Sequence, residues 1–476
     1  MDYEIVMGLE IHVELKTKSK IYCGCTTEFG GEPNTHICPI CTGMPGVLPV
    51  LNRSVVEYAV KAGLAMNCDI SEFSKQDRKN YFYPDLPKAY QVSQFDLPLC
   101  KNGFVEIETG GKRKKIGITR IHIEEDAGKL IHDEWETGTL VDYNRCGVPL
   151  IEIVSEPDMR SPEEAKAFVE NVKSILEYLD VSDCKMQEGS LRADVNLSVR
   201  PVGQEKFGTR TEMKNLNSFR SILRAAENEA HRQIREIEAG GSIVQETRRW
   251  DDSKGVSYAM RSKEEAHDYR YFPEPDLLPV VVDEQWLESI KASLPELPAA
   301  RRSRYIAEYV LPEYDAGLLT SSKYLADFFE EAVRESSNAK AVSNWIMGDM
   351  MRILKEKGAE ADSIPFPGSY LAALVSLIDK GTISGTIAKK VFEKMFESGK
   401  NPQQIVKDEG LEVVSDTGAL SEAIRKVLEA NAQSVADYRS GKEKAFGFLV
   451  GQAMREMKGK ADPQLINRLL KEELEK

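Results

Sequence analysis

The clearest regularity along the chain is a strict alternation of apolar and polar positions. From Leu9, the residues Leu9, Ile11, Val13 and Leu15 fall on one side, and Glu10, His12 and Glu14 on the other. That is the period of a strand with one buried face. The same pattern returns where Leu191, Ala193, Val195, Leu197 and Val199 alternate with Arg192, Asp194, Asn196, Ser198 and Arg200. Phe104 to Thr109 and Lys114 to Ile123 flank Gly110-Gly111 and predict a hairpin. Two helices interrupt the strands. Ser161-Pro162-Glu163-Glu164 has the form of a capping box with proline at the first helical position. A second helix starts near Asn217 or Ser218 and stops at Gly240-Gly241. This half therefore reads as α+β with a largely antiparallel sheet.

Past the Leu294-Pro295-Glu296-Leu297-Pro298 linker the period changes to 3.6. Helices are expected over Tyr324 to Val333, Val342 to Leu354, Tyr370 to Ile378 and Ile387 to Met395, and a last small helical unit from Leu411. The expected domains are residues 1–294, 295–410 and 411–476, consistent with 476 residues being too many for one core. No internal repeat and no run of about 18 apolar residues is present. Met1 to Val6 lacks the form of a secretory or transit peptide, so a cytoplasmic address is expected. The net charge of −14 argues against a non-specific nucleic-acid binder, but leaves room for local basic patches.

Cys23, Cys25, Cys38 and Cys41 form two close pairs across a short loop, the spacing of a structural tetrathiolate zinc site. Glu10 and His12 share a strand face with room for further acids: His122-Ile123-Glu124-Glu125-Asp126, Glu152 and Asp194. Oxygen donors with one imidazole suit Mg²⁺ or Mn²⁺. Taken singly, each is better explained as a solvated strand position. Two segments, Lys75 to Gln91 and Asp268 to Asp276, interleave cations and aromatic rings around prolines, which suits stacking of a base or packing on a core. Neither a Walker-type loop nor a glycine-rich dinucleotide fingerprint occurs.

The run from Leu140 to Asp158 resembles the signature of the B-type family of aspartyl/glutamyl-tRNA amidotransferase subunits. So do Gly8 to Leu15, Arg78 to Asp85, Glu124 to Lys129, Lys214 to Phe219, Asp268 to Asp276 and Ala445 to Gln452. The resemblance runs the length of the chain. It implies ATP-dependent phosphorylation of the side-chain carboxylate of Glu-tRNA(Gln) or Asp-tRNA(Asn), then displacement of phosphate by ammonia. It also implies Glu10, His12, Glu125 and Glu152 as metal ligands, with Asp194 as a fifth. Alternation from Ile121 and Ile123 puts Glu125 on the apolar side. A bulge near Thr119-Arg120, or a strand ending before Glu125, removes that conflict, and Glu124 is the substitute. Lys79 and Lys88 are the expected phosphate-binding cations, and Lys214, Asn217, Arg270 and Tyr271 the further nucleotide candidates.

No amidase signature and no paired cysteine nucleophile is evident in the chain. The resemblance accordingly implies two partners, a separate amidase (glutaminase) of the A type and a small C-type protein. Together they make a heterotrimer through which ammonia passes. The tail resembles a tRNA-contacting domain, with Lys442, Lys444, Arg455 and Lys458 as expected contacts. Two other readings fit single features: a non-catalytic, zinc-stabilised tRNA-binding scaffold, and a self-contained metal-dependent hydrolase.

Overall fold

A computed structural model describes residues 2–132, 138–262, 269–412, 417–440, 442–457 and 463–475. The chain divides into two compact units, Met1–Leu297 and Pro298–Lys476.

The first unit is built on a nine-stranded sheet. Five of its strands carry the chemistry discussed below: β1 (Tyr3–Glu14), β2 (Lys112–Glu125), β3 (Pro149–Ser155), β4 (Leu191–Pro201) and β5 (Thr211–Leu216). Their spatial order is β5-β4-β1-β3-β2, all antiparallel. Glu246–Asp251 joins β5 in parallel, Val256–Ser262 closes that edge, and Cys100–Thr109 and Asp69–Ile70 extend the other. The hairpin and the alternating strands anticipated from the sequence are present, each a few residues longer than its pattern. With helices beside a mostly antiparallel sheet, followed by a helical unit, the fold class is α+β.

One face of this sheet is closed by three helices. They are α1 (Arg53–Ala65), α2 (Pro162–Tyr178) and α3 (Phe219–Glu238). Ser161 caps α2 by accepting from the Glu164 amide at 3.2 Å, but Glu164 does not complete a capping box. Its carboxylate accepts from the Arg160 amide and from Lys114 instead. Ser218 caps α3 through the Ser221 amide at 3.0 Å. Leu9, Ile11, Val13, Ile121, Ile123, Ile151, Ile153 and Val195 are all buried with Phe168 and Val172 of α2 and Ala225 of α3. Apolar burial on this side fixes strand register, since a one-residue slip would turn every side chain over. It thereby fixes which residues project from the opposite, polar face.

In the second unit, helices span Lys323–Glu335, Gly368–Asp379 and Gly385–Ser398. The expected helix Val342 to Leu354 is present with a π-turn, Ile346–Met350, in its middle. The C-terminal helices have a core of their own, including Leu420, Ile424, Leu449, Ile466 and Leu470. No described helix is long and apolar enough to cross a membrane.

Phe168 is fully buried between α2 and the sheet. Phe168→Ala should cost the first unit about 3–5 kcal/mol through lost transfer energy and a cavity, and Phe168→Leu much less. Denaturant midpoints of the two variants measure the difference.

Candidate active site and metal centres

The polar face of the sheet presents a row of side chains across four strands. Arg192 of β4 lies opposite His12 of β1, His12 opposite Glu152 of β3, and Glu152 opposite His122 of β2. Glu124, two residues beyond His122, projects from the same face. His12 Nε2 lies 3.4 Å from Glu124 Oε1 and 3.9 Å from Glu152 Oε1. His122 Nε2 lies 3.0 Å from Glu152 Oε2, while its buried Nδ1 has no hydrogen-bond partner among the described residues. One ligand atom from each of His12, Glu124 and Glu152 fits within a 4.8 Å sphere of mutual distances. Two carboxylates and an imidazole at that spacing suit a hard divalent cation.

The electrostatics of the row match that donor set. Burial pushes the Glu152 carboxyl up, but His122, His12 and Lys79 outweigh it and hold it well below the usual carboxylate range. Burial disfavours the Lys79 charge, yet Tyr271, Glu124 and Glu152 keep its pKa above the ordinary lysine range. At the end of β1, burial and the neighbouring Asp126 raise Glu14 to about 8. Asp126 itself is paired with Arg192 at 2.7 Å and Arg145 at 3.4 Å.

The five expected metal ligands do not converge on one point. Glu10 and Asp194, opposite each other on β1 and β4, form a second group with Glu212 of β5. Lys214 reaches into it, 2.7 Å from Asp194 and 3.4 Å from Glu212. Asn196 donates to Glu10 at 3.0 Å.

Glu125 is a correction. β2 runs without interruption through Glu125, and its irregularity, at Ile118–Arg120 opposite Val154/Ser155, lies upstream of the alternation that matters. Glu125 therefore faces away from the cluster and Glu124 takes its place. The Glu125 carboxylate accepts from the Val92 amide at 2.9 Å and is ion-paired with Lys88. Lys88 is thus tied to Glu125 on the far side, and only Lys79 of the two expected cations stands by the cluster. Glu125 and Lys88 line a cavity of about 140 Å³ together with Tyr22, Cys41 and Glu274.

The two basic–aromatic segments meet. Asp77–Asn80 pairs with Phe272–Pro273 and with Tyr90–Ser93. Arg78 grips Glu274 through two hydrogen bonds of 2.6 and 2.8 Å, and Asn80 donates to the Arg270 carbonyl at 2.9 Å. Around this seam Lys79 sits 4.9 Å above the Tyr269 ring, and Tyr271 stacks on Phe95 at 4.3 Å, 7° from parallel. Arg270 is exposed, with a left-handed backbone (φ 47°) and its guanidinium over Phe82. Asn217 is exposed just ahead of the α3 cap.

Cys23, Cys25, Cys38 and Cys41 converge, with sulfurs within 4.8 Å of one another. Cys38 and Cys41 Sγ are 3.9 Å apart, close to the roughly 3.8 Å edge of a tetrahedron with 2.3 Å zinc–sulfur bonds. The Cys38 amide donates to Cys41 Sγ at 3.2 Å. Cys41 is drawn down to about 5, chiefly by its hydrogen bond with Cys23, against the burial that opposes it; Cys25 is pushed up to about 11, chiefly by burial. The turn leaving the cluster needs Gly43. Its φ is +66°, and a Cβ there would fall 2.3 Å from Lys88 Cγ.

Residues 5–288 match the GatB/GatE catalytic domain and residues 327–474 the GatB domain. The chain belongs to the GatB/GatE family. It is 66% identical to the B subunit of the aspartyl/glutamyl-tRNA(Asn/Gln) amidotransferase of Caldicellulosiruptor bescii, 65% to that of Caldicellulosiruptor saccharolyticus and 63% to that of Thermoanaerobacter pseudethanolicus. Each comparison spans the whole of both chains. All three clusters lie within the GatB/GatE catalytic match. The expected tail contacts lie in the GatB match. There Lys442, Lys444 and Arg455 are exposed, Lys442 pairing with Asp437 at 2.9 Å, and Lys458 lies outside the described residues.

Glu212, His122 and Phe95 were not among the site residues expected of a GatB-type chain. Glu212 and Lys214 alternate on β5, a signal present in the sequence. Phe95 gave none, since only folding brings it to Tyr271. The geometry makes a sharp distinction between adjacent residues. Glu124→Gln should weaken Mn²⁺ binding at least about tenfold, and Glu125→Gln should leave it within about twofold, in an electron-spin-resonance titration of the purified chain.

Proposed function

We propose that this chain is the tRNA-handling, ATP-using subunit of a glutamine-dependent amidotransferase, a carbon–nitrogen ligase acting on Glu-tRNA(Gln), Asp-tRNA(Asn) or both. The observation that carries this reading is the His12–Glu124–Glu152 cluster with Lys79 beside it, in a chain whose full-length relatives are named as the B subunits of amidotransferases. A divalent cation held there, Mg²⁺ or Mn²⁺, would supply charge neutralisation for phosphoryl transfer.

The chemistry has two balanced steps. The γ-phosphoryl group of ATP passes to the side-chain carboxylate of the tRNA-linked amino acid, leaving ADP and an acyl phosphate. Ammonia then attacks the acyl carbon; the new C–N bond forms, the C–O bond to phosphate breaks, and the nitrogen loses a proton. Activation is needed because a carboxylate repels a nucleophile and holds no good leaving group. His12, Glu124 and Glu152 supply the donor set for the cation, and His122 orients Glu152. Lys79, kept charged by its neighbours, faces the transferring phosphoryl group. Lys214, partly exposed above Asp194 and Glu212, is a second cation for the nucleotide. Arg270 and the Tyr271–Phe95 stack offer a charged and a flat surface to a base or ribose.

Ammonia comes from a separate A-type amidase, and a small C-type protein completes a cytoplasmic heterotrimer. The four cysteines hold a structural Zn²⁺, and the C-terminal helical domain, from about residue 411, contacts the tRNA body through Lys442, Lys444, Arg455 and Lys458.

The test is ATP-dependent amidation of Glu-tRNA by the co-purified complex, with free ammonium as an alternative nitrogen source. His12→Ala should lower amidation by about 10²-fold or more from either source, with tRNA binding unchanged on a filter assay. Amidation that survives His12→Ala would put the phosphoryl step elsewhere and leave the zinc-stabilised scaffold as the better reading.

A further inference from the structure

Lys20 is one of the largest side chains that the fold buries completely, with 0% of its surface exposed. Its backbone is pinned: the amide donates to the Cys25 carbonyl at 2.9 Å. Its ammonium donates to the His36 carbonyl at 2.7 Å and lies 3.8 Å from Cys41 Sγ. Among the described residues no carboxylate stands within ion-pair distance of it. A buried ammonium facing only a neutral carbonyl would be disfavoured, because nothing replaces its hydration; among the described residues, the Cys41 sulfur is the neighbour that can carry a compensating negative charge. The position makes sense beside a metal-bound thiolate.

The metal centre has the complementary problem. Four thiolates around one divalent cation leave a doubly negative centre, here partly buried, with Gly147 packed close to Cys41 and Lys20. The Cys38 amide gives Cys41 one hydrogen bond, but an amide carries no net charge. Lys20 brings the only full positive charge in contact with these sulfurs among the described residues.

We propose that Lys20 is the built-in counter-ion of the tetrathiolate centre, a positioning residue that offsets the charge on Cys41 Sγ and slows the escape of the metal. The proposal rests on the four cysteines binding zinc. Outer partners of this kind typically change metal retention by about 10- to 100-fold.

The experiment uses the full chain in its complex. Zinc content is measured first, then zinc release to a chromogenic chelator, for wild type, Lys20→Met and Lys20→Gln. The glutamine keeps an N–H donor near His36 and Cys41 but no charge, and serves if the methionine variant does not fold. Zinc release from both variants at least about tenfold faster than from wild type is expected. After zinc is stripped, the order should invert. The variants should melt no lower than the stripped wild type, because the doubly charged centre that Lys20 offsets is gone. Wild-type retention in Lys20→Gln would overturn the proposal, since the N–H alone would then suffice. A stripped variant less stable than the stripped wild type would also overturn it, since Lys20 would then serve packing. Absence of zinc from the wild type would sink the zinc reading and this proposal together, whereas normal zinc content with unchanged release sinks this proposal alone.

Discussion

Crowding of negative charge on one face of a sheet is the constraint around which the N-terminal unit is organised. Glu10, Glu124, Glu152, Asp194 and Glu212 all project from the polar side, on strands whose other side is welded into an apolar core. Partly buried carboxylates at such spacing repel one another and lose hydration. The fold answers with cations from separate places in the sequence: Lys79 from the short central strand of the three-stranded sheet, Lys214 from β5, and Arg192 from β4. These do not cancel the face completely, and the remaining negative charge suits the divalent cation proposed for it. Stability and chemistry draw on the same imbalance.

The scaffold is rigid where this matters. Three helices pack the apolar side, so strand register cannot relax to relieve the repulsion opposite. The one irregularity in β2 pairing falls before Ile121, outside the segment that bears His122, Glu124 and Glu125. The Arg78–Glu274 fork fastens the two aromatic segments to each other and brings Lys79 and Tyr271 to the rim of the cluster.

Much of this was legible in the sequence because alternation is a local property. The strands, their polar faces, the capped helices and the four-cysteine loop follow from patterns only a few residues long. What alternation says about Glu125 was legible too: it puts Glu125 on the apolar side and Glu124 on the polar one, and the strand pairing agrees. The division of the acidic residues into two groups was not legible. It depends on which strands are neighbours, and the β5-β4-β1-β3-β2 order is set by long-range packing. The Phe95–Tyr271 stack and the burial of Lys20 were hidden for the same reason, since each joins residues that no short pattern relates.

Glu124 and Glu125 are consecutive, yet one looks into the cluster with His12 and the other into the cavity with Lys88. The strand acts here as a partition one residue thick, furnishing two rooms from a single stretch of chain. A deletion or insertion between Ile121 and Glu125 would exchange the furnishings of both rooms at once. The hairpin tip at Gly110-Gly111, where nothing crowds the backbone, is free to change length across descendants of this sequence. The few residues that end the same strand are not: they can vary in kind, but their number is fixed.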